Sequence, residues 1–110
     1  MNIGIIRCMQ TEDYCPGTTD FKMVREKKGA FEGVDEAIQI IGFVSCGGCP
    51  GKKVVLRAKE LVKRGADTIV FASCIQKGAP IGYPCPFAKK MKACIVEALD
   101  EAVKIIDYTH

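Results

Sequence analysis

The chain has 110 residues, of which 48% are hydrophobic, and a formal net charge of +3. This length suits one domain spanning residues 1–110, and the hydrophobic content excludes an intrinsically disordered chain. No hydrophobic run approaches the roughly 20 residues that span a bilayer, and the short N-terminal run lacks the basic segment of a signal peptide. The lysines are spread over predicted helices, whereas a nucleic-acid-binding surface needs a clustered basic stripe. We therefore expect a cytoplasmic protein that binds neither a membrane nor nucleic acid.

Four short segments have the pattern of buried parallel strands. Each is almost continuously hydrophobic and rich in Ile and Val, which is typical of strands covered on both faces. In chain order they are residues 3–7, 38–44, 68–72 and 103–107. The spacing of hydrophobic residues between them predicts helices at 52–64 and 87–102, and a shorter helix at 20–28 with Asp20 as its N-cap.

This alternation of strands and helices predicts an α/β fold. We expect a single doubly wound, flavodoxin-like or Rossmann-like sheet of about four mostly parallel strands, with helices on both faces. The expected strand order is 2-1-3-4, which opens a crevice between the first and third strands at their carboxyl ends.

The most unusual feature of the composition is the presence of seven cysteines. Without an export signal, an odd number of cysteines favours metal binding or thiol redox chemistry over a disulfide framework. Three predicted strands end beside a cysteine, namely Cys8, Cys46 and Cys74. Because neighbouring strands lie about 4.8 Å apart, thiols at their ends can share one metal ion after ordinary side-chain rotation.

The segment from Cys46 to Cys49 adds a chelating pair to these strand ends. Its two-residue spacing lets both thiolates reach one metal ion, and the intervening glycines permit a tight turn whose N–H groups point at the sulfurs. We expect this segment to open the helix at 52–64, whose N-terminal dipole lowers thiol pKa values. The expected inner ligand set is therefore Cys8, Cys46, Cys49 and Cys74.

Residues that flank the thiols are expected to contribute to cofactor binding. Gly47 and Gly48 supply backbone N–H groups to the turn. Ser45 and Ser73 can donate hydrogen bonds to the sulfurs, or else are small residues that pack at the strand ends.

The remaining candidate residues differ in their context. Cys15 and Cys85 lie in loops expected at the same edge of the sheet, where each is either a ligand or a plain loop cysteine. Cys94 falls on the hydrophobic stripe of the helix at 87–102 and is expected to be a buried core thiol. His110 is the only histidine and follows the fourth strand. It is either a frayed terminal residue or a ligand or proton carrier at the cysteine edge.

These residues resemble the CGGC domain family of small prokaryotic proteins. The similar segments extend over essentially the whole chain, at residues 7–8, 27–32, 42–53, 64–67, 73–75, 85–87 and 109–110. The resemblance implies metal binding, with ligands among Cys8, Cys15, Cys46, Cys49, Cys74, Cys85 and His110. Family members commonly end the last strand in Gly-Thr-His, where this chain has Tyr108 in place of the glycine. Some members carry a further cysteine near position 19 or 20, which this chain lacks.

Three functions are compatible with these observations. The first is a metal-binding protein that holds zinc, or alternatively an iron–sulfur cluster served by a redox or electron-transfer partner. The second is a thiol–disulfide oxidoreductase with Cys46 as the attacking thiol and Cys49 as the resolving thiol. The third is a phosphate-binding module at residues 47–53, although their spacing fits neither the P-loop nor the dinucleotide fingerprint. No catalytic machinery beyond the thiols is recognisable, so the sequence does not establish an enzyme.

Overall fold

Four parallel strands form one sheet in the order β2-β1-β3-β4 in the computed structural model, which describes residues 1–78, 82 and 84–110. The expected α/β class and strand order are confirmed. In chain order the elements are β1 (Asn2–Arg7), α1 (Thr18–Glu26), β2 (Gln39–Ser45), α2 (Val54–Lys63), β3 (Thr68–Phe71), α3 (Ser73–Gln76), α4 (Ala88–Ala98) and β4 (Lys104–Ile106). Short 3₁₀ turns occupy Met9–Thr11 and Gly29–Phe31.

The two central strands supply the most deeply buried part of the core. Strands β1 and β3 are runs of Ile, Val and Phe because both of their faces are covered. Their fully buried hydrophobic side chains are Ile3, Ile5, Ile6, Ile69, Val70 and Phe71. Burying a side chain of this kind stabilises a fold by about 1.5–3 kcal/mol relative to leaving it exposed. The central strands therefore hold their carboxyl ends in fixed positions.

Two glycines let helix α2 pack directly onto the sheet. A Cβ atom at Gly4 would lie 2.8 Å from Leu61 Cδ1, and one at Gly42 would also collide with the Leu61 side chain. Glycine within a strand commonly marks such a close approach. The contact fixes the position of α2 and, with it, the loop that joins β2 to this helix.

Two helices begin at other residues than the sequence predicts. Helix α2 begins at Val54, so residues 50–53 separate it from Cys49. The expectation that this cysteine pair directly opens the helix is wrong, and the helix dipole fades beyond its first turn. Helix α1 begins at Thr18 after Gly17, which takes a left-handed conformation with φ of 90°. Asp20 is therefore not the N-cap but a buried residue of the first turn.

Helix α3 is absent from the sequence-based prediction, and helix α4 is shorter than predicted. The four residues of α3 follow β3 after a single residue, Ala72, where the pattern indicates only the end of a strand. Helix α4 ends at Ala98 because Leu99 has extended backbone angles and Asp100 accepts a hydrogen bond from the Ala102 N–H at 2.9 Å. None of the helices within the described part of the chain has the length and hydrophobicity needed to cross a membrane.

Candidate metal site at the carboxyl edge of the sheet

The carboxyl ends of β1 and β2 bring two cysteines together. Arg7 and Ser45 are partners in the parallel ladder, and the next residue along each strand is a cysteine, Cys8 and Cys46. Pairing continues past the strands, because the Cys46 N–H donates to the Arg7 carbonyl oxygen at 2.8 Å. Both cysteines are buried, with 7% and 5% of their surface exposed. The thiols thus converge at these two strand ends.

Four cysteines line one small cavity at this edge, which we call the thiol cavity. They follow β1 and β2 and belong to the loops before α2 and α4: Cys8, Cys46, Cys49 and Cys85. Hydrophobic side chains and loop backbone complete the lining, from Gly48, Pro50, Gly51, Ile75, Phe87 and Met91. The cavity thus offers sulfur ligands in apolar surroundings, which is a donor set suited to zinc or to the iron of a cluster.

The local backbone holds Cys85 at the cavity. Its N–H donates to the Ile75 carbonyl oxygen at 2.8 Å, and its own carbonyl accepts the Ala88 N–H at 3.2 Å. The Cys85 Sγ atom accepts the Phe87 N–H at 3.4 Å. A hydrogen bond of this kind favours the thiolate, the form that binds metal. The loop cysteine Cys85, rather than Cys74, is therefore the fourth cysteine of the cavity.

Burial favours the neutral form of two thiols of the cavity, those of Cys8 and Cys85. Burial is the main cause of a raised pKa of the Cys8 thiol, and the Gln10 backbone N–H partly offsets it. Three neighbouring thiols raise this pKa further, those of Cys74, Cys46 and Cys85. Burial likewise raises the pKa of the Cys85 thiol. A cation among these sulfurs would offset the effects of burial and of the neighbouring thiols, and would so stabilise the thiolates. Metal binding would therefore release protons.

Cys74 lies beside the thiol cavity, in helix α3. Its Sγ atom accepts the Cys8 N–H at 3.2 Å. Burial raises the pKa of the Cys74 thiol, and the Cys8 N–H and the Thr11 hydroxyl oppose that rise. The negative charge of Asp20 and the thiol of Cys15 raise it further. Cys74 therefore lies between Cys8 and the charge of Asp20, outside the lining of the thiol cavity.

A buried polar network, which we call the C-terminal anchor, lies next to Cys74. Its members Asp20, Ser73 and Thr109 are 3%, 1% and 0% exposed. The Thr109 hydroxyl donates to Asp20 Oδ1. Ser73 Oγ accepts the N–H groups of Thr109 and His110 at 3.2 and 3.0 Å. Lys77 Nζ donates to the main-chain oxygen of His110 at 2.7 Å. The C-terminal residue is therefore held in place by its backbone.

The His110 imidazole faces the C-terminal anchor. Its Nε2 atom lies 3.9 Å from Asp20 Oδ1, and the side chain is 33% exposed. His110 is not among the residues that line the thiol cavity. Sequence reasoning missed the role of Asp20, although one signal was present. That signal is the four-residue spacing between Asp20 and the hydrophobic Val24, which puts both side chains on one face of a helix. In the structure they are the two buried residues of α1.

Ser45 fixes the start of the CGGC loop, residues 46–49. Its Oγ atom accepts the Gly47 N–H at 3.2 Å and a hydrogen bond from Arg57 Nη1 at 3.0 Å. Gly47 and Gly48 have φ values of 86° and 101°, which favour glycine. A Cβ atom at Gly47 would lie 2.8 Å from the Lys53 Cβ atom, so the loop packs against the start of α2. Binding of a cofactor by Ser45, Ser73, Gly47 or Gly48 stays a prediction.

Two of the remaining cysteines are not part of the lining of the thiol cavity. Cys94 is exposed, so the expectation of a buried core thiol is wrong. The buried positions of α4 are Ala88, Met91 and Ile95, and this narrow stripe leaves Cys94 on its border. Cys15 is half-buried, and its N–H donates to the carbonyl oxygen of Thr11 at 2.8 Å.

The thiol cavity is a set of converging donors and not a finished coordination sphere. Among residues 1–78, 82 and 84–110, no three side chains of Cys, His, Asp or Glu are already arranged to hold a metal ion. The donor chemistry of the cavity fits zinc or iron, but the sulfurs must rotate inward to meet at metal–sulfur distances of about 2.3 Å.

Fold and site together define an α/β domain that presents a cluster of thiols at the carboxyl edge of a four-stranded parallel sheet. The sequence profile of the CGGC domain matches residues 2–110, and the chain belongs to the CGGC domain family. The resemblance noted in the sequence is thereby confirmed.

Two proteins of one organism are similar in sequence to this chain. The uncharacterized protein MJ0582 of Methanocaldococcus jannaschii is 33% identical over 118 residues, which cover 100% of this chain and 87% of that protein. The uncharacterized protein MJ0766 of the same organism is 40% identical over 53 residues, covering 47% of this chain and 76% of that protein. No solved structure matches the chain significantly. The names of both relatives state no activity, so a function must follow from the chemistry of the site.

Proposed function

We propose that this protein binds a metal in the thiol cavity, with zinc as the first candidate and an iron–sulfur cluster as the alternative. The observation that carries the proposal is the convergence of four cysteines from different chain segments on one apolar cavity: Cys8, Cys46, Cys49 and Cys85. Four thiolates complete a tetrahedral zinc site or the ligand set of a common cluster. Membership of the CGGC domain family, whose resemblance implies metal binding, supports the same function.

Several cysteines of the cavity would bind the metal together. Cys8 and Cys46 would supply two thiolates from the rigid ends of β1 and β2, and Cys85 a third whose charge the Phe87 N–H stabilises. A bound metal would supply a positive charge that keeps these sulfurs ionised. Cys15, Cys74 and His110 are then candidates for an outer role, since they lie outside the cavity lining.

Metal content of anaerobically purified protein tests this proposal. We expect about one equivalent of zinc, or iron with matching sulfide and visible charge-transfer absorption. The variant Cys46→Ser is expected to lose the metal, whereas Cys94→Ser, which removes an exposed thiol outside the cavity, should keep it. A reduced wild-type protein that carries no metal and takes up neither zinc nor iron contradicts the proposal.

One observation favours a thiol–disulfide oxidoreductase as a second candidate. Cys49 is exposed and Cys46 is buried, so the pair has one accessible and one protected thiol. Accessibility makes Cys49 the attacking thiol, which reverses the order expected from the sequence. Its thiolate would attack a substrate disulfide and release one substrate thiolate. Cys46 would then displace the second, so that the substrate gains two electrons and the pair becomes a disulfide.

A redox titration separates the two candidates. An oxidoreductase without metal shows one two-electron dithiol step, and Cys49→Ser removes it. A metal protein instead shows metal-dependent protection of the same thiols against oxidation.

A further inference from the structure

Cys49 differs from the other three cysteines of the thiol cavity in its exposure. Cys8 and Cys46 are buried, Cys85 is half-buried, and Cys49 is exposed to solvent although it lines the same cavity. A molecule from solution can therefore reach the wall of the cavity at Cys49, which carries one of the four sulfur atoms.

Cys49 also differs in how its backbone is held. Hydrogen bonds to neighbouring residues fix the other three: Cys46 N–H to the Arg7 carbonyl at 2.8 Å, Cys85 N–H to the Ile75 carbonyl at 2.8 Å, and Thr11 Oγ1 to the Cys8 carbonyl at 2.9 Å. Among the residues that the structure describes, no hydrogen bond ends on Cys49. Two independent observations, its exposure and its lack of hydrogen bonds, thus distinguish Cys49 from the other three cysteines.

The side chain of Cys49 has room to move. Cys49 is exposed, and a Cβ atom at the preceding Gly48 would meet a single neighbour within 4 Å, the Met9 Sδ atom at 3.5 Å. The turn itself is held, because the Gly51 N–H donates to the Gly48 carbonyl oxygen at 2.8 Å. An exposed side chain changes rotamer rapidly without any change in the backbone. The Cys49 sulfur can therefore turn toward the cavity or away from it while the loop and strands β1 and β2 stay in place.

We infer that Cys49 is the exchange ligand of the site, through which a metal ion enters and leaves, and that its partner is a thiol-bearing donor or acceptor of the ion. This inference rests on the proposed metal-binding function. On release, a thiolate from the acceptor forms a bond to the ion as the Cys49 bond breaks. Cys49 then takes up a proton, and no oxidation or reduction occurs. Cys8, Cys46 and Cys85 hold the ion until further acceptor thiolates replace them.

Cobalt(II) binding by two matched variants tests the ranking of the ligands. Each variant keeps three sulfurs, but water can fill the exposed position of Cys49, whereas the position of Cys46 is buried. Three protein ligands and a water molecule still bind metal. We expect Cys49→Ser to weaken cobalt binding by about tenfold and Cys46→Ser by about 100-fold or more. Circular dichroism of each variant checks that the fold is intact. Equal losses in the two variants, with binding by the wild type, would overturn the inference alone. A wild type that binds no cobalt would overturn the proposed function together with it.

The order of thiol modification gives a second test that needs no variant of a ligand. Cys94→Ser serves as the background, because Cys94 is also exposed and would react. Zinc-loaded protein is treated with a limiting amount of a maleimide, and peptide mapping identifies the modified thiol. Cys49 is expected to react before the other three cysteines of the cavity. First reaction at Cys8, Cys46 or Cys85 would contradict the inference.

Kinetics of zinc release test the class of the partner. With an excess of a small dithiol, we expect a release rate proportional to the dithiol concentration, because the incoming thiolate takes the place of Cys49. A rate that is independent of dithiol concentration would mean that the ion dissociates unaided, and would overturn the exchange role.

Discussion

The carboxyl edge of the sheet holds two neighbouring regions with opposite chemistry. In the C-terminal anchor, the buried Asp20, Ser73 and Thr109 are joined by hydrogen bonds, so that their polar groups have partners. In the thiol cavity, several cysteines meet in an apolar space, and burial raises the pKa of Cys8 and Cys85. In the first region the polar groups stabilise one another, whereas in the second the thiols converge with few hydrogen-bond partners and in apolar surroundings.

This difference separates a structural role from a functional one. A buried network whose members are all hydrogen-bonded stabilises one conformation of the chain. Thiols crowded together raise one another's pKa and gain nothing from the crowding unless a cation joins them. Substitutions in the anchor should therefore change the stability of the fold, and substitutions in the cavity should change metal binding.

The largest effect is expected from substituting Cys85, which lines the thiol cavity, and the matched comparison is substitution of Cys74, which lies next to the C-terminal anchor. Cys85→Ser should weaken zinc binding by about 100-fold, because it removes one of four sulfurs from the cavity. Cys74→Ser should leave zinc stoichiometry unchanged, because Cys74 lies beside the cavity. Competition with a chelator of known affinity measures both. Loss of zinc from Cys74→Ser with retention in Cys85→Ser would restore the ligand set expected from the sequence.

The second effect concerns the stability of the anchor. Asp20→Ala leaves the buried Thr109 hydroxyl without its acceptor, so the free energy of unfolding should fall by about 2–3 kcal/mol. Urea denaturation measures the change, and Thr109→Ser, which keeps the hydroxyl, is the matched control. Zinc stoichiometry of the folded Asp20→Ala protein should be that of the wild type. A loss of zinc with unchanged stability would make Asp20 part of the metal site.

The fold and part of the thiol cavity could be predicted from the sequence, whereas the C-terminal anchor could not. Hydrophobic runs and the chirality of βαβ connections are local and general rules, so they predicted the strand order and the meeting of Cys8 with Cys46. The place of Cys74 depends on α3, a four-residue helix that carries no periodic signal of its own. The burial of Asp20 depends on Thr109, which is 89 residues away along the chain. Contacts over such separations are not encoded in any local pattern.

The third prediction concerns pH. A rise in pH should lower the stability of the metal-free protein and should raise its affinity for zinc, and both effects come from the same thiols. Burial raises the pKa of Cys8, Cys74 and Cys85 above the ordinary 9.0, so at higher pH the unfolded thiols ionise first. The folded state then holds more protons, and the free energy of unfolding of the metal-free protein should fall as pH rises above 9.0. At lower pH these thiols are protonated in both the folded and the unfolded state, so they should not make the free energy of unfolding depend on pH.

Zinc affinity should change in the opposite sense over a lower range. Binding must release the protons of neutral thiols, so affinity should rise by about tenfold per pH unit for each proton released between about pH 6 and 8. Chelator competition at several pH values measures this slope. A zinc affinity that is independent of pH would mean that the ion does not bind to these thiols.

The smallest effect is expected at His110, where the anchor and the metal hypothesis make different predictions. The anchor binds this residue through its backbone, since its N–H donates to Ser73 and its main-chain oxygen accepts from Lys77. His110→Ala keeps both bonds and removes a one-third exposed side chain that lies 3.9 Å from Asp20. The free energy of unfolding should therefore fall by about 1 kcal/mol or less, with zinc affinity unchanged. A tenfold or greater loss of zinc affinity would instead place the imidazole among the ligands, and would require the C-terminal segment to turn toward the thiol cavity when metal binds.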